Sequence, residues 1–406
     1  MNTVKSSSKG PLEGIRILDL SAVVMGPFAT QILGDLGADV IKLESPAGDD
    51  MRTVGVKRHP GMAAIYLHLN RNKRSIALDL KTEQGRLACL ELAKTVDVLL
   101  YNVRPQSMKR LGLDYAQVAQ VNPKLVYVGA YGFGNRGPYA GKPAYDDLIQ
   151  GMAAIPSLYE QASGDVPRYV PLAFADRMVG LHVAIAILAG VIQARKSGEG
   201  QEIEVPMFES VAQLVLGDHL GGYTFDPQEG PVGYPRLVAA QRRPYATANG
   251  HISLLIYNDR QWSRFFQLIG RPELNQDPRF ASHTARGEHI SEVYGLVADV
   301  IAGNTSEHWL KALEDADIPV APLYSLDQLI HDPHLQAVGE IVSMQHPSEG
   351  AIRTLSPVGN YSKTPAAIRR HAPRLGEHTR EVLLEAGFNE QEVAAMFTSG
   401  AAIDAG

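Results

Sequence analysis

The chain has 406 residues, 45% hydrophobic and 20% charged, with 38 basic against 44 acidic side chains and a net charge of −6. That composition excludes a disordered chain and any need for metal or disulfide staples, and at about 150 residues per domain it points to two or three domains. The acidic balance gives no reason to expect a nucleic-acid partner, and the single cysteine, Cys89, excludes an internal disulfide.

The first third alternates strand and helix signals. Gly14–Leu20 reads as a buried strand, Pro27–Gly37 as a helix, and Ala38–Glu44 as the next strand. Ser75–Asp79 is short and extended, Thr82–Thr95 is helical with Cys89 on its apolar side, and Asp97–Asn102 is a strand. A helix over Gln106–Leu111 and a strand over Leu125–Tyr131 follow. Strands spaced by helices imply β-α-β units and a parallel sheet.

Asp147–Ile155 reads as a helix and 156–172 as a loop; Met178–Arg195 is a strongly apolar helix closed by Lys196-Ser-Gly-Glu-Gly200. The apolar stretch Met178–Ala194 falls short of a membrane span of about 20 residues. With a polar, Ser/Lys-rich start over 1–10, this predicts a cytoplasmic protein with no membrane partner. Gln201–Pro206 is a strand, with a helix to about Leu220. Gly221–Arg243 has linker texture, and Pro244–Ile318 reads as a smaller α+β unit with a hairpin turning at Asn249-Gly250. From Pro319 the tail returns to short strands and two helices.

Gly132-Phe-Gly-Asn-Arg-Gly137 matches a dinucleotide pattern, but Pro138–Pro143 follows and no helix is expected to open on the last glycine. NAD is therefore not expected, and the histidines show no metal spacing. Basic residues cluster in Asn70-Arg-Asn-Lys-Arg-Ser75, with Lys81, Arg104 and Arg110 beyond. A charge run is commonly a solvated face; at strand ends of a parallel sheet it also suits a polyanion carrying phosphates. Asp176 stands between a short apolar strand and the long helix, where an Asp is commonly an N-cap.

These pieces resemble the family III CoA-transferases (the CaiB/BaiF family), which include formyl-CoA:oxalate and carnitine CoA-transferases and related acyl-CoA racemases. The resemblance runs nearly end to end. It is carried by Pro11–Leu20, Gly26-Pro27, Leu36–Glu44, Asn72–Lys81, Asn122-Pro123, Gly132-Phe-Gly134, Phe174-Ala-Asp176, Lys196–Gln201, Asp277-Pro-Arg-Phe280 and Arg374–Thr379. It implies a Rossmann-like α/β large domain over 1–220 and 319–406, with a linker and small α+β domain over 221–318. It also implies an interlocked homodimer.

The resemblance implies Asp176 as nucleophile. It implies coenzyme A, as substrate, held by Leu78, Asp79, Leu80 and Lys81, by Asn102, Val103 and Arg104, and by Arg110. Val24 and Met25, with Pro143, Ala144, Tyr145 and Asp146, complete that implied site. Three departures stand out: Ser45 replaces an expected Arg, Leu237-Val-Ala-Ala-Gln241 replaces a glycine-rich lid, and Tyr145 replaces the racemase branch's His. Tyr145 favours transfer over racemisation, since His suits α-proton removal near neutral pH.

The expected reaction moves coenzyme A from an acyl-CoA, with succinyl-CoA as the expected donor, to a short-chain or dicarboxylic acid through an aspartyl-CoA thioester, with glycine-turn amides stabilising oxyanions. A 2-methylacyl-CoA racemase and a non-catalytic CoA-binding protein are the competing readings. Arg168, Arg177, Arg236, Arg242 and Arg243 are candidates to hold a substrate carboxylate.

Overall fold

A computed structural model describes residues 9–404. Six strands form in the first half: β1 Arg16–Asp19, β2 Asp39–Glu44, β3 Lys73–Leu78, β4 Val98–Tyr101, β5 Val126–Tyr131 and β6 Gln201–Pro206. Further on come β7 Tyr245–Ala246, β8 His251–Leu254, β9 Val320–Pro322, β10 Ile341–His346, β11 Gly350–Leu355 and β12 Ala402–Ile403. The fold is mixed α/β, built on a seven-stranded sheet in the order β12-β3-β2-β1-β4-β5-β6.

Strands β1 to β6 are mutually parallel, whereas β12 pairs antiparallel with β3, Ala402 opposite Leu78. The sheet is thus mainly, not wholly, parallel. Burial on both faces explains why β3 and β5 read as near-continuous buried runs. Strand order reverses about β1, with β2 on one side and β4 on the other, and ligands of open α/β sheets dock beyond the carboxyl ends of the strands at such a point.

The chain divides into two compact units, one formed by the segments up to Ala153, Val170–Leu214 and from Gln336 onward, the other by Ala154–Tyr169 and Val215–Leu335. In the first, the helix Glu83–Lys94 starts at Thr82, whose hydroxyl accepts the Gly85 amide at 3.0 Å. Its Cys89 is fully buried, and burial pushes the thiol up to about 12, which fits a core residue.

The long helix spans Phe174–Ser197, four residues earlier than its apolar periodicity suggests. At 24 residues it is long and apolar enough to cross a membrane, which corrects the expectation that it falls short. Here it packs on β5, β6 and the helix Met25–Asp35. Glycines allow the approach: a Cβ at Gly180 would stand 2.8 Å from the Met25 carbonyl oxygen, and one at Gly190 2.5 Å from a Val126 methyl.

The second unit holds the antiparallel sheet β7-β8-β9, with the Asn249-Gly250 turn where the sequence places it. Trp262, Phe265 and Phe266 of the helix Asp259–Leu268 fill its core with Leu313. Asn258 and Gln261 form a reciprocal cap at that helix's start. The expected loop over 156–172 is corrected: Ile155–Ser163 is a helix. Pro156 in its first turn and Gly164 in the left-handed conformation at its end, both read as loop signals, are the ordinary ends of a short helix.

Candidate active site

The carboxyl ends of β1, β4 and β5 open into a cavity of about 410 Å³ within the first unit. After β1 the chain turns through Ala22–Met25; after β4 comes Asn102-Val103-Arg104; after β5, Gly132 and Phe133. Pro143, Ala144 and Tyr145 close another side, and Asp176 enters from the long helix. A second groove of about 510 Å³ adjoins it, sharing Arg104, Ser107 and Gly141 and adding Lys109 and Arg110. Walls that are more apolar than polar, and that carry Arg104 and Lys142, thus lead to a carboxyl group, and a cationic groove adjoins them.

Asp176 lies in the first turn of its helix, and the cap position is Ala173, so the N-cap reading is corrected. No strand precedes it. Its backbone N–H donates to the Asp146 carboxylate at 2.9 Å. Asp146 is held in turn by the side-chain amide of Gln150 at 2.5 Å, and the Gln150 oxygen accepts the Val170 N–H at 2.9 Å. Gln150 is fully buried. Burial, and then the neighbouring Asp146 charge, push the Asp176 carboxyl up to about 6, with Arg177 pulling the other way. At neutral pH it is an ionised, poorly solvated carboxylate, the state a nucleophile needs.

Of the residues expected at the site, Met25, Asn102, Val103, Arg104, Pro143, Ala144, Tyr145 and Asp176 come together around the cavity, and Arg110 joins them through the groove. Val24 is buried just before the helix Met25–Asp35, and Asp146 stands behind Asp176 instead of lining the space. Leu78, Asp79, Leu80 and Lys81 sit at the end of β3 outside both linings. Leu78 pairs with β12, and the Asp79 side chain accepts the Lys81 amide at 3.0 Å.

Sequence reasoning missed Ala22, Val23, Lys109 and Lys142. Lys142 lines the cavity with its ammonium 4.3 Å from the Tyr139 ring centre. Its signal was present, a cation directly before Pro143 in the turn-rich segment after β5. Val23 carries a left-handed backbone, φ 72°, a position costing a β-branched residue of order 1–3 kcal/mol.

Two readings of the charges are corrected. The Asn70–Ser75 cluster is neither a solvated face nor a polyanion cleft: it lies at the amino end of β3, away from the cavity. Arg71 grips Asp35 at 3.0 and 2.6 Å, Lys73 bonds Asp19 at 3.2 Å, and Arg74 bonds Asp39, Glu381 and Glu385. All three cations are buried, and buried charges need such partners. Nor are all amides of the glycine turn free for an oxyanion. Gly134 N–H donates to Glu209 at 2.9 Å and Asn135 N–H to Glu204 at 3.0 Å. As expected, no helix opens on that turn.

Arg177 lies over the Phe28 ring at 5.1 Å, Arg168 pairs with Asp165 at 2.9 Å, and Arg236 donates to the Tyr294 hydroxyl at 3.4 Å. Arg242 and Arg243 are exposed. Among the described residues no group of three or more His, Cys, Asp or Glu side chains is placed to hold a metal ion.

The sequence pattern described as CoA-transferase family III matches residues 12–379. The chain is 35% identical to the succinate–glutarate CoA-transferase of Agrobacterium fabrum, over 93% of this chain and 96% of that one. It is 30% identical to the succinyl-CoA:glutarate CoA-transferase of Homo sapiens, over 98% and 90% respectively. Among solved structures, a CaiB/BaiF family protein from Brucella suis matches with a TM-score of 0.78 and 30% identity, covering 93% of this chain and 100% of that one.

Proposed function

The chain belongs to CoA-transferase family III and is an enzyme of that family, and on that premise we propose that it moves coenzyme A from succinyl-CoA to a short dicarboxylic acid through Asp176. The observation that carries this reading is the placement of Asp176, ionised and shielded, at the end of a cavity continuous with the cationic groove of Arg104, Lys109 and Arg110. The groove suits the phosphates of the coenzyme, and the cavity suits its pantetheine arm and thioester. Relatives acting on succinate and glutarate support the choice of acids.

Exchange of CoA between a thioester and a carboxylate is nearly balanced in free energy, so the obstacle is kinetic. The Asp176 carboxylate attacks the succinyl carbonyl, the C–S bond breaks, and CoA thiolate leaves behind a mixed anhydride. The thiolate attacks the Asp176 carbonyl carbon and expels succinate, giving an aspartyl-CoA thioester. The acceptor carboxylate attacks that thioester and releases the thiolate. The thiolate then attacks the acceptor carbonyl, which frees acyl-CoA and regenerates the Asp176 carboxylate. Amides of the turn not already bonded to Glu204 and Glu209 are candidates to receive the oxyanion.

Tyr145 at the cavity edge, where a racemase would place an imidazole acid/base, supports transfer over racemisation. The enzyme acts as an interlocked homodimer in the cytoplasm, a state that dilution alone does not separate. The test is peptide mass spectrometry after mixing the protein with succinyl-CoA. A CoA adduct on the Asp176 peptide, discharged by glutarate, is the expected result; transfer that persists in Asp176→Ala overturns the assignment.

A further inference from the structure

The turn after β1 is held from beneath by a buried ion pair. Lys42, fully buried on β2, donates to the Asp49 carboxylate at 2.8 Å and to the Ser21 carbonyl at 3.0 Å. Asp49, 4% exposed, uses its other oxygen to accept the N–H of Val23 at 3.1 Å and of Met51 at 3.0 Å. Burial works against both charges, yet each partner keeps the other ionised. The turn is held a second time from β4: the Asn102 side chain accepts the Ala22 N–H at 3.0 Å and donates to the Ala22 carbonyl at 2.7 Å.

Between these two holds stands Val23, in a backbone conformation a β-branched residue leaves when free to do so. Ala22, Val23 and Met25 line the same cavity as Asp176. The turn also touches Asp176's own helix where Gly180, one helical turn on, lies against Met25. Its position therefore sets the width of the space in which the thioester meets Asp176.

We propose that Asp49 is a positioning residue: through the Val23 amide it holds the Ala22–Met25 turn in its strained form as a fixed wall facing Asp176. The side chain touches no substrate; it narrows the range of thioester placements, an effect on the reacting geometry more than on coenzyme affinity. The inference rests on the reading of the Asp176 cavity as the reaction site.

The test compares two variants with the buried charges removed, Lys42→Met/Asp49→Asn and Lys42→Met/Asp49→Ala. They differ in whether an oxygen remains for the Val23 amide. Exchange of labelled succinate into succinyl-CoA is followed. The Asn form is expected within about fivefold of wild-type kcat and the Ala form about 20-fold or more below it, both with KM for succinyl-CoA within about threefold. Adding Asn102→Ala to the Ala form is expected to cost less than it costs wild type, because both groups hold one turn. Equal kcat in the two variants, or multiplicative losses, overturns the proposal. Amide hydrogen exchange over residues 21–26 needs no turnover and is expected to be faster in the Ala form; equal exchange also overturns it. Failure of wild-type protein to exchange succinate counts against the reading of the site, and the amide measurement then decides the role of Asp49 separately.

Discussion

The backbone amide of Asp176 donates to the carboxylate of Asp146, so the main chain of the proposed nucleophile is tied to the group whose charge opposes its ionisation. With its carboxyl pushed up to about 6, transfer activity should rise with pH through about 6 and level off above it, because in the proposed mechanism the carboxylate is the attacking form. Replacing Asp146 by Asn removes the repulsion but not the burial. The inflection in a kcat/KM profile should move to lower pH and stay above the ordinary carboxyl value. An inflection that does not move shows that Asp146 does not tune Asp176.

The same raised value has a consequence for stability. In the unfolded chain the Asp176 carboxyl titrates near 3.8, in the fold at about 6. The fold favours the protonated form, so full stability is present below about pH 4 and is lost as pH rises through 6. The cost above pH 7 is about 3 kcal/mol. Asp176→Asn, neutral throughout, should melt several degrees above wild type at pH 8 and lose that advantage at pH 4, while transfer falls by about a thousandfold or more. A melting temperature lower than wild type at pH 8 contradicts the assignment.

Much of this fold was legible because parallel strands buried on both faces leave apolar runs, as in β4 and β5; the partly buried edge strand β6 was also read to the residue. Asp176 was visible only through family resemblance, since one Asp before an apolar helix looks locally like a cap. The Asn70–Ser75 cluster misled because its partners Asp35, Asp39, Glu381 and Glu385 lie tens to hundreds of residues away, and sequence shows charge without its counter-charge. Lys42 and Asp49 went unread although only seven residues separate them. A lysine inside an apolar strand announces a buried pair only once its partner is known.

Gly180 is a further point of control. A methyl there would stand 2.8 Å from the Met25 carbonyl oxygen and 3.0 Å from the Phe28 ring, so the long helix or the turn must shift. Gly180→Ala gains about 1 kcal/mol of helix propensity yet loses more through overpacking. The expected result is a melting temperature below wild type with kcat reduced about tenfold, read by calorimetry and steady-state kinetics. A more stable, fully active variant shows that the contact does not set the cavity.

The two kinds of arginine separate cleanly by experiment. Arg71 is buried and bidentate with Asp35; removing it strands a carboxylate against Asn72 and Gln31 alone. Arg71→Ala should therefore cost about 3 kcal/mol of stability and leave KM for succinyl-CoA unchanged below the melting range. Arg104 is exposed, and among the described residues its guanidinium makes one hydrogen bond, a 3.5 Å contact to the Gly141 carbonyl, which leaves it open to a phosphate. Arg104→Ala should leave melting unchanged and raise KM about tenfold or more, the worth of one charge-assisted hydrogen bond. Rising salt should narrow the gap between Arg104→Ala and wild type, because an exposed pair is screened, and should not touch the Arg71→Ala deficit to the same degree. If Arg71→Ala instead raises KM with melting intact, the basic cluster at the start of β3 contacts the coenzyme after all, and its placement as a set of structural ion pairs is wrong.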